Sequence, residues 1–458
     1  MSETYIKRVE LKGIHKRYDL DISFNESLNV LHGQNGTGKS TLIHIIANIA
    51  NCDFIRFAFL DFGNIRVTYS NNAYVNVSQM EQDDDKLIRI DTHTGESFKF
   101  YKREAIEEIR ELDDERFARG YHSELTKSIN TFVKENNIRH IETSYFPAFR
   151  TMLEAWSSQG ENRNRPSKMV RKVSTKQATT FSRQLFGQFL PTINYPSPIE
   201  IERSLREEIR GCQINIAQYE SSVFSDSFVK VFSALLDGSD VVANTEELLA
   251  EIAKLTSESS SSKLGDVEEN SNTYRALQEL VTKSSRTYEL ASTATGALAV
   301  YRDALKERQN FQQEAFKEVD KYFEVVNSFL DKKELSYVLG KDRRIPKVGL
   351  KFPDDTWSSI KVMSSGERQL LTMLYAVNKM SGNSAVLIDE PELSLHIDWQ
   401  EELLGQMMEQ LGNRQIIVCT HSPAIASDFD QYMKEVKPVF NDLSYSEIEE
   451  LEDEEDLF

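Results

Sequence analysis

The segment Gly33-Gln34-Asn35-Gly36-Thr37-Gly38-Lys39-Ser40 constrains this chain more than any other. It fits the phosphate-cradling pattern G-x-x-x-x-G-K-[ST], with an apolar strand-like run, Leu28-Asn29-Val30-Leu31, before it and a helix-like run from Thr41 to Ile46 after it. The glycines let backbone N–H groups turn inward into an anion-binding nest at a helix N-terminus, where the helix dipole also favours negative charge. Lys39 is then placed to reach β- and γ-phosphates and the Ser40 hydroxyl to bind Mg²⁺, with Thr41 completing the loop. A strand that turns into a helix through such a loop belongs to an α/β fold.

Two further apolar runs end in polar residues. Ala385-Val386-Leu387-Ile388 leads to Asp389-Glu390, adjacent carboxylates at a strand end, where Asp389 would hold Mg²⁺ directly or through water and Glu390 would polarise an attacking water. Ile416-Ile417-Val418-Cys419 leads to Thr420-His421-Ser422-Pro423. Read without their neighbours, Asp389-Glu390-Pro391 is a charged turn after a buried strand and His421 a structural histidine; the phosphate loop upstream turns both toward chemistry.

With Met363-Ser364-Ser365-Gly366-Glu367 added, the four segments in this order resemble the ABC-type branch of AAA-family ATPases, specifically the soluble SMC-like and OLD-like proteins. The resemblance is specific over about residues 1–50 and 335–425 and weak between them. It implies an ABC-type P-loop head, a mixed sheet with an antiparallel β lobe, interrupted by a helical, short coiled-coil insertion. ATP and Mg²⁺ are the implied cofactors. The Met363 segment is similar to the LSGGQ signature, with Met for Leu, Ser for the first Gly and Glu for Gln. In that family the signature opens a helix whose N-terminus grips the γ-phosphate held by a second subunit. This makes Ser364, Ser365, Gly366 and Glu367 nucleotide contacts in trans, Glu390 the base, and His421 a γ-phosphate contact that helps orient the water. Leu393-Ser394-Leu395-His396-Ile397-Asp398 stands where the family has its dimer-contacting D-loop. Gln79 is the one candidate for a Q-loop glutamine. Tyr145-Phe146-Pro147-Ala148-Phe149-Arg150 resembles a segment of bacterial defence ATPases; its Arg150 either approaches phosphate or a neighbouring subunit, or is a solvated residue after a strand ended by Pro147.

The implied partners follow. Two heads sharing each ATP make a homo-oligomer, at least a dimer and up to a trimer of dimers. OLD-type chains continue past the histidine loop into a Toprim nuclease, whereas few residues follow His421 here, so a separate effector is expected, as in the PARIS (Toprim nuclease) or Septu (HNH nuclease) anti-phage systems, with a phage-encoded protein or nucleic acid as trigger. The rival from another class is a DNA-repair or chromosome-associated ATPase that clamps duplex DNA.

Composition agrees with a large, non-secreted chain. At 458 residues and 40% hydrophobic content it can bury a large core, it has no run of 18 apolar residues and so no membrane partner is expected, and it opens on Lys7, Arg8 and Glu10 instead of a signal peptide. Cys52, Cys212 and Cys419 lie far apart without C-x-x-C spacing, so a cytoplasmic location fits. The net charge of −19 argues against a surface that coats nucleic acid throughout. A local exception runs from Ala155 to Leu190, where Arg163, Arg165, Lys168, Arg171, Lys172, Lys176 and Arg183 face only Glu161; the strip either binds an acidic partner or is a solvated basic loop.

The organisation read from patterning is a head in two parts, 1–150 and 333–440, a helical insertion at 151–332, and an acidic tail at 441–458 whose self-repulsion disfavours a fold. Residues from Tyr5 to Leu31 alternate as a hairpin about Arg17-Tyr18-Asp19; Ile65–Tyr69, Tyr74–Val77 and Leu87–Ile90 extend an antiparallel sheet, and Glu104 to Glu135 is a charged helix. The serines 259–262 mark a linker. Phe316, Val319, Phe323, Val326 and Leu330 repeat at three and four, the seam of a packed helix.

Overall fold

A computed structural model of the chain describes residues 4–113, 124–150, 175–237, 247–248, 250–255, 288–339, 346–379, 384–410 and 414–441. In chain order its strands are β1 (Ile6–Ile14), β2 (Tyr18–Ser23), β3 (Leu28–His32), β4 (Asn64–Tyr69), β5 (Tyr74–Gln82), β6 (Asp85–Thr92), β7 (Ser97–Tyr101), β8 (Glu142–Phe146), β9 (Glu334–Leu339), β10 (Pro346–Lys351), β11 (Trp357–Ser358), β12 (Ser384–Asp389), β13 (Gln415–Cys419), β14 (Met433–Glu435) and β15 (Val439–Phe440). The helices used below are α1 (Lys39–Ala50), α2 (Lys102–Asp113), α3 (Glu124–Glu135), α4 (Thr175–Phe186), α5 (Pro198–Asp237), α6 (Tyr288–Phe329), α7 (Ser365–Lys379) and α8 (Ile397–Gln410). The chain divides into two compact units, one of Met1–Ser197 with Ser364–Phe458, the other Pro198–Met363.

The first unit holds two sheets of opposite kinds. One has the order β14-β3-β13-β12-β8 and is parallel throughout. Its central strands are buried at every position of β12 and β13, as expected where helices cover both faces and apolar residues need not alternate with polar ones. Val386, Leu387, Ile388, Ile416, Ile417 and Val418 are fully buried, as are Leu42, Ile43, Ile45 and Ile46 of α1. Truncating one of these, Leu387→Ala for example, should cost about 2–5 kcal/mol through lost burial and the cavity left behind.

The other sheet, β15-β2-β1-β4-β5-β6-β7, is antiparallel and shows the alternation of a sheet with one face in the core, clearest in β4. Expected strands appear at 64–69, 74–82 and 85–92, and β7 is an additional one. The first hairpin turns one step earlier than its pattern suggested: His15 and Lys16 take left-handed φ of 51° and 56°, and Tyr18 is already in β2. β3 leaves that hairpin for the parallel sheet. The two sheets are tied by the buried amide of Gln415, whose Oε1 accepts the Ile6 N–H at 3.0 Å and whose Nε2 donates to Ile6 O at 2.9 Å. The charged helix expected over 104–135 is α2 and α3, with the residues between them outside the described set.

In the second unit α5 and α6 pack together, and the antiparallel sheet β11-β10-β9 packs on them. The expected seam of α6 is buried at Phe316, Val319, Phe323 and Val326, while Leu330 falls just beyond the helix end. Leu248 and Ile252 join Leu298 and Leu305 in a further cluster. This unit begins and ends later than the 151–332 insertion read from patterning. The reason is packing: β9 and β10 bury Leu335, Tyr337, Val348 and Leu350 and make their contacts with the long helices, and Asn327 caps the start of β9 by accepting the Leu335 N–H at 2.6 Å and donating to Leu335 O at 3.0 Å.

Most of the basic strip (Arg163, Arg165, Lys168, Arg171 and Lys172), the serine run and the acidic tail lie outside the described residues. Arg183 is described, and it is not part of a solvated strip. Only 7% exposed, it donates from Nε to Leu190 O at 2.8 Å and pairs with Asp53 at 2.9 Å. No helix among the described residues is long and apolar enough to cross a membrane.

Candidate functional site

The register of the parallel sheet sets the site. Leu31 lies beside Cys419 and Cys419 beside Asp389, so three adjacent strands reach the same level before their loops begin. Parallel strands present their C-terminal ends on one edge, where loops of an open α/β sheet gather around a ligand. Loops 33–38, 390–396 and 420–422 therefore converge there. Because Phe146 pairs with Ile388, the turn after β8 reaches that edge as well.

Gly36 and Gly38 take left-handed φ of 79° and 84°, the latter as the residue just before α1, and no side chain caps that helix. Gly38 is further required by crowding: a Cβ there would collide with the hydroxyl of Tyr18, which the antiparallel lobe lays over the loop. The Lys39 ammonium, 6% exposed with its residue, donates to Gly33 O and Gln34 O, each at 2.9 Å, and thus holds the loop curled. Thr37 Oγ1 donates to Gln34 O at 3.0 Å. Gln34, Asn35, Gly36 and Ser40 are exposed. Burial lowers the Lys39 pKa, opposed by the negative charge of the nearby Asp389, Glu390 and Glu392.

Asp389 is 5% exposed. Burial raises its pKa to about 6, and Glu390 and Glu392 push the same way, while the Ser40 hydroxyl and Arg150 favour the carboxylate. An acid this reluctant to ionise in the free protein is one that gains from a cation. Glu390 follows with φ at 49°, a left-handed backbone that costs a non-glycine residue about 1–2 kcal/mol. Its N–H donates to Cys419 O at 2.9 Å, locking the acidic turn to the end of β13.

Arg150, which the sequence suggested as a phosphate or subunit contact or a solvated residue, is instead interior. It is 1% exposed, and its Nη1 donates to Pro147 O at 3.1 Å and Asp389 O at 3.0 Å. Nη2 donates to Glu390 O and Pro391 O, each at 3.0 Å, and to Gln369 Oε1 of α7 at 3.3 Å.

His421 is exposed, and its N–H donates to Glu392 Oε1 at 2.8 Å; the same oxygen accepts the Ser422 N–H at 3.1 Å. Gln400 of α8 accepts from Ser422 Oγ at 2.7 Å and donates to Leu395 O at 3.1 Å. Glu392 and Gln400 thus staple the histidine loop to the 391–396 turn. Neither residue stood out in the sequence.

Ser364 and Ser365 are exposed at the start of α7. Ser364 Oγ accepts the Glu367 N–H at 3.3 Å and Glu367 Oε2 accepts the Ser364 N–H at 2.7 Å, a reciprocal capping box. The Ser-x-x-Glu spacing was visible in the sequence, masked by the reading of the segment as a phosphate motif. Gln79, the Q-loop candidate, braces its own lobe: its side chain accepts from Phe62 N–H at 3.4 Å and donates to Leu60 O at 3.3 Å.

A glycine-rich phosphate loop between a parallel strand and a helix, acidic residues at the end of the next strand but one, an antiparallel lobe over the loop and a second helical unit define an ABC-type P-loop ATPase fold. Residues 5–426 match the AAA_15 family, the AAA ATPase domain, and the chain belongs to that family. Among its relatives, a stretch of 84 residues is 32% identical to the Retron Ec83 probable ATPase of Escherichia coli, 16% of this chain and 16% of that protein. A stretch of 99 residues is 29% identical to the Retron Vc95 probable ATPase of Vibrio cholerae serotype O1 biovar El Tor, 19% of each. The matched stretches thus span less than a fifth of either relative. Among solved structures, the Smc head domain with an extended coiled coil bound to the C-terminal domain of ScpA, from Pyrococcus furiosus, aligns over 98% of this chain and 99% of that one, with 15% identity and a TM-score of 0.37. The SmcHead bound to the C-winged helix domain of ScpA aligns over 97% and 99%, with 12% identity and a TM-score of 0.38.

Proposed function

We propose that this ATPase is the cytoplasmic sensor or regulatory subunit of an anti-phage defence system, working as a homo-oligomer whose heads sandwich Mg²⁺-ATP and control a separate effector, a Toprim or HNH nuclease of the PARIS or Septu kind. The convergence of Lys39, Ser40, Asp389, Glu390 and His421 on one edge of the parallel sheet carries the ATP part. Sequence identity over a segment with two ATPases named for retrons supports the defence part.

The residues fit Mg²⁺-ATP. Lys39 grips two carbonyl oxygens that a phosphate would replace as its partners. Ser40 and Asp389 are the hydroxyl and carboxylate that would hold the cation. Bound Mg²⁺ supplies neutralisation of charge on the phosphates. In this reading Glu390 accepts the proton of the attacking water, and His421, held at its backbone by Glu392, hydrogen-bonds the γ-phosphate and helps orient that water. The exposed N-terminus of α7, with Ser364 and Ser365, is the surface a partner's γ-phosphate would meet in trans.

A complementation assay tests the shared site. Ser364→Arg and Lys39→Ala chains are each inactive alone, because every site in a homodimer then lacks one half. Mixed, they form heterodimers in which one site has an intact Lys39 and an intact Ser364, and hydrolysis returns. No recovery, together with a wild-type rate per molecule independent of protein concentration, would rule out the shared site. For the effector, co-expression with the product of the neighbouring reading frame followed by mass measurement should give a complex; steeply salt-dependent binding to bare duplex DNA with no such complex would favour the chromosome-clamp reading instead.

A further inference from the structure

We infer that Arg150 is a positioning residue for ATP hydrolysis: it holds the backbone turn that carries Glu390 and couples that turn to the helix opened by Ser364 and Ser365. The inference rests on the proposed role of Glu390 as base, and it assigns to Arg150 a task that the phosphate site itself does not include.

The geometry is specific to a guanidinium. Taking a cation out of water is unfavourable, and an apolar side chain of similar volume fills an interior position at lower cost. What an apolar side chain cannot do is collect the three consecutive carbonyl oxygens of Asp389, Glu390 and Pro391, all at 3.0 Å. Consecutive carbonyls of an extended strand point to alternate sides, so their convergence on one side chain requires the chain to turn at this place. That turn is the left-handed residue Glu390, φ 49°. A strained backbone conformation persists where its surroundings over-determine it, and here the planar fork of Arg150 does so.

The same fork is bound at its other end. Pro147 O anchors it to the turn after β8, and Gln369 Oε1 ties it to α7, one helical turn beyond Ser365. In a composite site, α7 answers to the nucleotide of the partner head while Glu390 acts on the nucleotide of its own head. A displacement of α7 on engagement would pass through Gln369 to Arg150 and from there to the backbone on either side of Glu390. The two halves of the machinery in one subunit would then move as one.

The experiment uses the full chain with four proteins: wild type, Arg150→Lys, Glu390→Gln and the double variant. Lysine keeps the charge but not the fork. Arg150→Lys should bind ATP within about 3-fold of wild type, since the hydrogen bonds that make the clamp go to Pro147, Asp389, Glu390, Pro391 and Gln369, and should lose about 10- to 100-fold in kcat, the scale of a misplaced general base. The double variant should be no slower than Glu390→Gln alone, because the two substitutions remove one function. A loss that multiplies in the double variant, or a wild-type kcat for Arg150→Lys, overturns the inference. Glu390→Gln turning over at the wild-type rate would sink the reading of the base and not the clamp. Should Arg150→Lys fail to fold, Gln369→Leu carries the test, since it leaves the three carbonyl bonds in place. It should keep the melting temperature and ATP affinity while lowering kcat several-fold; an unchanged kcat would show that α7 is not coupled to the turn.

Discussion

Gly366 faces the carbonyl of Ser394 so closely that a Cβ at residue 366 would lie 2.5 Å from that oxygen. The single glycine of the signature segment is thus required by the neighbouring turn. Gly366→Ala should push the 391–396 turn away, lower the unfolding free energy by about 1–3 kcal/mol as overpacking does, and reduce hydrolysis while ATP affinity at Lys39 survives. Denaturant unfolding and calorimetry on the same preparation check both halves; a wild-type midpoint would contradict the packing argument.

Lys39→Ala should abolish nucleotide binding, because the phosphates lose the fixed cation of the cradle. Glu390→Gln should bind ATP and accumulate the engaged dimer, since it keeps the shape of the side chain without its basicity. Calorimetry for the first and mass photometry with ATP for the second give the readings. Undiminished ATP affinity in Lys39→Ala would discard the phosphate-loop assignment.

Glu392→Gln weakens two charge-assisted hydrogen bonds to the amides of His421 and Ser422. Expected is a fall in kcat of roughly 10-fold with near-normal ATP affinity, because the histidine loop loosens while the cradle is untouched. Stopped-flow nucleotide binding alongside steady-state turnover separates the two, and a weaker affinity with normal kcat would assign Glu392 to binding instead.

His44 of α1 gives a pH dependence. Its ring packs edge-on against Tyr145 and shares a 2.8 Å hydrogen bond with the Tyr145 hydroxyl, and burial lowers its pKa from 6.5 to about 4. The fold favours the neutral ring, so this contribution is fully present above pH 6.5 and is lost as the pH falls from there through about 4, at most about 3 kcal/mol. His44→Gln cannot titrate and should flatten the acid limb of the stability profile. An identical acid limb in both proteins would mean that other groups control it.

The sequence marked the side chains that the fold gathers on one edge of the parallel sheet: the glycine-rich loop between its strand and helix, the carboxylate pair, the histidine at a strand end. It was less informative where backbone atoms are the partners. Arg150 binds carbonyl oxygens, which every residue has, so nothing in its neighbours' identities announced the clamp. Glu392 and Gln400 work through amides and carbonyls and were silent for the same reason. Patterning located β4, β5 and β6 because one face is buried and alternation results, yet it placed the insertion boundary before Pro198 and at 332, since strands β9 to β11 look alike whichever unit they pack in.

The order of the parallel sheet has a consequence for synthesis. β3 has β13 and β14 as its two neighbours, with Leu28 beside Ile416 and Val30 beside Met433. On the ribosome, a finished phosphate-loop strand therefore waits, both edges open, until nearly the whole of the described chain has emerged, while the unit from Pro198 to Met363 already has its partners at hand. Unpaired strand edges are where chains associate wrongly. Stalled or prematurely ended translation of this message should yield a folded second unit joined to a first unit that cannot close, a product for chaperones and proteases and without any capacity for nucleotide.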